Sequence, residues 1–138
     1  MNAIAPTATA KTLFTANVHS KSGRDGYAKS ADGSVDLKVS QPHPFAENLY
    51  AAAWSACYMG AIELAAAQRK VKLAASPEVD AEINLKRAGD SYFLAAHFTV
   101  TLQGVDRDTA AELAEIAHGI CPYSKAVHGN IDVTTTIA

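Results

Sequence analysis

Cysteine is scarce in this sequence: Cys57 and Cys121 are the two among 138 residues. That excludes a disulfide-stapled scaffold and, in a reducing compartment, puts a catalytic or redox role ahead of a permanent crosslink. Inert burial is the competing account, because cysteine is among the most often buried residue types. Charge is also sparse, with 12 bases against 14 acids and a net charge of −2. The charges are scattered, so no basic patch invites nucleic acid or an anionic membrane. The opening residues, MNAIAPTATAK, lack a basic region followed by an apolar one. This argues against a secretory signal and sets the expectation of a cytoplasmic protein. There is no repeat of solenoid period and no low-complexity linker. At this length the expectation is a flexible arm over residues 1–10 and a single domain over 11–138.

What the chain does have is apolar content, 49% of residues, much of it alanine. The densest stretch is Leu49 to Ala67, LYAAAWSACYMGAIELAAA, with one charge, Glu63, and one thiol, Cys57. Alanine without proline favours helix, and apolar residues all round the cylinder predict burial on nearly every side. Alanine is only weakly apolar, and Ser55, Gly60 and Glu63 interrupt the run, so it reads as a core helix and not a membrane span. That helix is expected to begin near Phe45 to Glu47, just past Pro44, and to run to about Lys70.

Around it the pattern alternates. Lys11 to Val18 reads as a strand, with Phe14, Ala16 and Val18 on one face. A glycine-punctuated turn region follows, SKSGRDGYAKSADGS, in which Asp32-Gly33 is a hairpin signal. Val35, Leu37 and Val39 form a half-buried strand, broken by Pro42 and Pro44. After the helix, Val79, Ala81, Ile83 and Leu85 alternate with polar residues. A turn at 88–91 and a long strand from Tyr92 to Leu102 complete an antiparallel hairpin. A second helix is expected from Thr109, where Thr109 and Glu112 have capping-box spacing. Its buried stripe would be Ala110, Leu113, Ile116 and Ala117, and Pro122 would stop or kink it near Gly119. Ile131 to Ile137 is the last strand. The predicted order is β-β-α-β-β-α-β, an α+β fold with helices on one face of antiparallel sheets.

A thiol attacks only as a thiolate, so a working cysteine needs a positive or donor-rich neighbourhood. Arg24, in the glycine-flanked turn GRDG, and Glu47, near the start of the Cys57 helix, are candidates; as solvated charges they would have no such role. In a regular helix Glu47 and Cys57 point about 80° apart and stand roughly 15 Å apart along the axis. Contact between them needs a helix break or a bridge through Arg24. If both helices pack on one sheet face, Cys57 and Cys121 could approach bonding distance. An attacking thiolate beside a resolving thiol is a layout in which thiol oxidation stops at a disulfide. Cys121-Pro122-Tyr123-Ser124 matches the tetrapeptide of single-cysteine glutaredoxins, but here it closes a helix near the C-terminus, and that reading is set aside. The histidines (His19, His43, His97, His118, His128) show no close metal-ligand spacing, and no metal or organic cofactor is expected. His97 is expected to face outward along its strand and His118 to sit at a helix C-terminus.

With these residues in view, the sequence resembles the organic hydroperoxide resistance (Ohr) proteins of the Ohr/OsmC superfamily over essentially its whole length. The resemblance is carried by GRDG at 23–26, SADGSVDLKV at 30–39, AENLYAAAWSACYMGAI at 46–62 and ICPYSKAVHGNIDV at 120–133. It implies antiparallel sheets around a long central helix in an intertwined homodimer. It implies reduction of organic hydroperoxides to alcohols, with Cys57 as the attacking thiol and Cys121 as the resolving one. Arg24 would stabilise the Cys57 thiolate and Glu47 would orient Arg24. The implied reductants are lipoylated proteins and dihydrolipoyl dehydrogenase. An OsmC-like peroxidase of broader substrate range, or a non-catalytic lipid- or peroxide-binding dimer, is the alternative. Two departures bear on substrate size: QPHPFAENLY replaces a longer entrance loop, and Trp54 is bulkier than the residue usual near that place.

Overall fold

In the computed structural model the described residues are 10–39 and 44–138. Most of the expected N-terminal arm, the Pro42 break and His43 lie outside them. The chain divides into two units at His43/Pro44.

The first unit is a three-stranded antiparallel sheet of β1 (Val18–Lys21), β2 (Tyr27–Ser30) and β3 (Asp36–Lys38), in that order. The strand expected over Lys11 to Val18 is displaced: residues 11–17 are not strand, and pairing begins at Val18 opposite Ser30. Alternation alone could not locate it, because a strand extends only where a partner exists, and β2 is four residues long. That partner lies in what reads as turn, since SKSGRDGYAKSADGS holds two tight reversals with a short strand between them. The first reversal has a physical signature in its glycines. Gly23 has φ +104°, and a Cβ on Gly26 would lie 2.3 Å from the Val39 carbonyl oxygen. At the second, the Asp32 carboxylate accepts from the Ser30 and Ser34 hydroxyls and the Ser34 amide. Gly33 there has φ +77°. Leu13, Phe14 and Val18 are exposed, and Gly26 is the only buried residue among those described in this unit.

The second unit holds the core. Helix α1 (Pro44–Gln68) starts and ends close to the predicted bounds, with Glu47 in its first turn, where the helix dipole favours an acid. It is buried on one side only. Trp54, Tyr58, Ala61, Ile62, Ala65 and Ala66 form the inner stripe, while Ala52, Ala53, Ala56, Gly60 and Leu64 are exposed. The expectation of burial on nearly every side fails here because alanine stabilises a helix without needing to be covered.

Strands β4 (Glu78–Ala88) and β5 (Ser91–Thr101) form the predicted hairpin around Gly89, whose φ of +57° suits a two-residue turn. Ala96, Phe98 and Val100 of β5 face the core, and His97 faces out to Thr134, as expected. Strand β6 (Asp132–Ile137) pairs with β5 in parallel, a correction to the all-antiparallel expectation. A parallel neighbour requires a crossover, and helices α2 (Arg107–Ile120) and α3 (Pro122–Val127) supply it. Helix α2 begins two residues before the predicted start. Asp106 caps it by accepting from the Thr109 amide at 2.9 Å, in place of the Thr109–Glu112 capping box. Its buried stripe is Ala110, Leu113, Ala114 and Ala117, with Ile116 at the margin. The overall class is α+β, two small sheets and a long central helix. Among the described residues no helix is long and apolar enough to cross a membrane.

Candidate active site

The residue that joins α2 to α3 is Cys121. Its amide donates to the Ala117 carbonyl, closing α2, and its carbonyl accepts from the Lys125 amide, opening α3. Pro122 takes the first helical position of α3, where its missing N–H costs nothing. The tetrapeptide CPYS therefore ends one helix and begins another, where the sequence predicted only an ending. This junction holds the Cys121 side chain fully buried against α1.

Cys57 lies opposite on α1, half-buried at the margin of the inner stripe. The Cys121 thiol donates to the Cys57 sulfur at 3.3 Å. Both cysteines are free, and 64 residues of chain separate them. Burial pushes the Cys57 thiol up, the neighbouring Cys121 sulfur pushes the same way, and the Tyr123 backbone N–H acts against both. A thiol in this setting needs a cation to become a thiolate near neutral pH.

Of the four residues singled out in the sequence, the fold thus brings Cys57 and Cys121 together. Glu47 is half-buried on the same uninterrupted helix as Cys57, ten residues earlier. A break in the helix as the route to contact is therefore ruled out. Arg24 is exposed in the β1–β2 turn of the first unit.

Behind the sulfurs is a polar cluster that residue patterns did not reveal. Trp54 Nε1 donates to Ser124 Oγ at 2.9 Å. His118 Nδ1 lies 2.8 Å from the same hydroxyl, and His118 Nε2 lies 2.9 Å from Thr135 Oγ1. Indole nitrogen can only donate. Ser124 Oγ therefore accepts from Trp54, and in the tautomer with its proton on Nε2, His118 accepts the Ser124 proton at Nδ1 and donates to Thr135. Tyr58 stacks on the His118 ring at 4.2 Å and donates to the Ala114 carbonyl at 2.9 Å. Burial pushes Tyr58 well above the ordinary phenol range and holds His118 below 6.5. The signal that could have exposed the cluster is the spacing His118, Cys121, Ser124, each three positions after the last. Trp54 is fully buried and hydrogen-bonded, so in this chain it anchors α3 and lines no opening. Among the described residues no group of three or more His, Cys, Asp or Glu side chains is gathered to hold a metal ion.

A family model described as OsmC-like protein matches residues 39–136. The organic hydroperoxide resistance protein of Xanthomonas axonopodis pv. citri is 34% identical over 137 residues, 93% of this chain and 96% of that protein. OhrA of Bacillus subtilis is 38% identical, covering 91% of this chain and 96% of its own length. The chain belongs to the organic hydroperoxide resistance proteins of the OsmC-like family. Solved Ohr structures agree. That of OhrB from Bacillus subtilis superposes with a TM-score of 0.82 at 32% identity, covering 92% of this chain and all of that one. An Ohr protein from Elizabethkingia anophelis, crystallised with thiocyanate bound, gives 0.85 at 31% identity over 94% of this chain and 99% of its own. The Ohr fold accounts for the long central helix and the two separate sheets in one chain.

Proposed function

We propose that the protein is a thiol peroxidase that reduces organic hydroperoxides to alcohols. The observation that carries this reading is the Cys57–Cys121 contact at 3.3 Å, with Cys57 half-buried and Cys121 fully buried. The accessible sulfur attacks and the sheltered one waits. The Cys57 thiolate attacks the distal oxygen of the peroxide, the O–O bond breaks, and the alkoxide takes up a proton to leave as alcohol. Cys57, oxidised by two electrons, is then a sulfenic acid. The Cys121 sulfur attacks it, an S–S bond forms, and hydroxide departs with the Cys121 proton as water. A dithiol restores the pair, and a lipoylated protein recycled by dihydrolipoyl dehydrogenase is the proposed donor.

Arg24 supplies the cation that the Cys57 site needs, and Glu47 orients it. A homodimer in the cytoplasm, with the described residues forming a single domain from residue 11 onward, belongs to the same reading. The names of the relatives support peroxide detoxification, and the apolar residues around Cys57 suit alkyl and aryl peroxides better than hydrogen peroxide.

The test treats the reduced protein with equimolar cumene hydroperoxide or hydrogen peroxide and follows intact mass. The expected result is loss of about two hydrogens as the disulfide forms, much faster with the organic oxidant. Cys57→Ser should not react, and Cys121→Ser should proceed to sulfinic acid. An unchanged mass, or equal rates with the two oxidants, would overturn the reading.

A further inference from the structure

The proposed chemistry leaves Trp54, Ser124, His118 and Thr135 without a part. A polar cluster inside an apolar core is costly unless every member is paired, and among the described residues no buried side-chain nitrogen or oxygen lacks a partner. Its placement is specific. On α1, Trp54 and Cys57 are three residues apart and so are neighbours on one side of the helix. Across the gap, Cys121 and Ser124 bound the first turn of α3. The Trp54–Ser124 hydrogen bond at 2.9 Å therefore runs beside the 3.3 Å sulfur contact as a second rung between the same two elements. His118 holds the other side of Ser124 from α2 and is itself held from β6 by Thr135.

We infer that Ser124, clamped between Trp54 and His118, is a positioning residue for the resolving step: it fixes the first turn of α3 and so holds Cys121 within reach of the Cys57 sulfur. This rests on the peroxidase reading for its rate consequence, but not for its geometric one. The turn from Cys121 to Ser124 is buried only at its two ends, since Pro122 and Tyr123 between them are exposed. Without the rung, the sulfur of Cys121 samples more positions, and fewer of them line up with the S–O bond that must break.

The experiment compares wild type with Ser124→Ala and, because Ser124→Ala could disturb the helix outright, with Trp54→Phe, which removes the indole donor and keeps an aromatic ring. One arm mixes reduced protein with cumene hydroperoxide and follows peroxide consumption and disulfide formation separately. Both variants should consume peroxide at the wild-type rate but form the disulfide about tenfold more slowly, the scale of one buried hydrogen bond. Excess peroxide should drive a larger fraction of Cys57 to sulfinic acid. The second arm equilibrates each protein with reduced and oxidised dithiothreitol and reads the disulfide fraction by mass. There the variants should shift about tenfold toward the dithiol, by the same lost bond. Wild-type disulfide rates and equilibria in both variants would overturn the proposal, as would slowing of peroxide consumption to the same extent as disulfide formation. If wild type itself consumes no peroxide, the peroxidase reading fails while the equilibrium arm still decides the positioning role.

Discussion

At the scale of single residues, the protein sets a thiol in a place that disfavours its own reactive form. Burial and a second sulfur raise Cys57, and within the second unit only the Tyr123 amide opposes them. Arg24 is proposed to reverse that balance. Arg24→Ala should raise the Cys57 pKa, read from the ultraviolet absorbance of the thiolate; an unchanged titration would remove Arg24 from the site. His118 gives a second titration. Burial holds its pKa below 6.5, with Glu115 pulling weakly the other way. The unfolded chain thus takes up this proton at higher pH than the folded one. The stability contributed by neutral His118 is complete above 6.5 and is lost as pH falls through the lower folded value. Urea unfolding between about pH 7 and pH 5 should show stability declining, with a shallower decline in His118→Gln. Equal slopes would mean that other groups carry the effect. That Cys57 and Cys121 approach one another could be expected from sequence, because cysteine is rare here and CPYS is distinctive. Ser124 and Thr135 could not, since a hydroxyl looks the same in a core as on a surface.

Among the elements, α1 was legible from its alanine-rich composition, and the β4–β5 hairpin, α2 and β6 from their periodicity; all fall close to their predicted places. The misses occur where a local rule depends on a distant partner. Strand β2 hides inside a glycine-rich stretch because its pairing is set by neighbours on both sides, and β6 shows no sign in its own residues of lying parallel to β5. Helix α1 carries one feature that propensity would not choose. It ends in a Schellman arrangement, with Val71 donating to the Ala66 carbonyl and Lys70 to the Ala67 carbonyl. Lys70 occupies the left-handed position at φ 56°, where glycine is the usual residue. Lys70→Gly should therefore stabilise the protein by about 0.5–1 kcal/mol, the left-handed penalty less the entropy glycine adds to the unfolded chain. Chemical denaturation checks the sign. A loss of stability would mean that the lysine side chain contributes more than its backbone conformation costs.

For the whole molecule, the apolar surface left uncovered is the main clue. Leu13 is 89% exposed, Phe14 78% and Leu64 48%, and α1 presents an alanine face to solvent. A three-stranded sheet that buries only a glycine among its described residues has no core with which to stand alone. Both features fit a chain completed by a second copy, as proposed. Light scattering should give twice the mass of one chain, and Leu64→Lys should weaken the dimer. A monomeric wild type would sink this reading. Part of this was legible in the sequence, since an apolar fraction rich in alanine suggests interface as well as core. Which alanines face outward was not, because helical periodicity cannot rank residues that are nearly all small.

The two sulfurs ride on very unequal supports. Cys57 is embedded mid-way in a 25-residue helix, whereas Cys121 sits at the hinge between α2 and a helix of six residues. Closing a 3.3 Å contact to a covalent bond of about 2 Å needs over an ångström of travel. The shorter support is the one able to give. Any movement on oxidation would then fall mainly on α3, where Tyr123 is 47% exposed, and not on the long helix that carries Cys57.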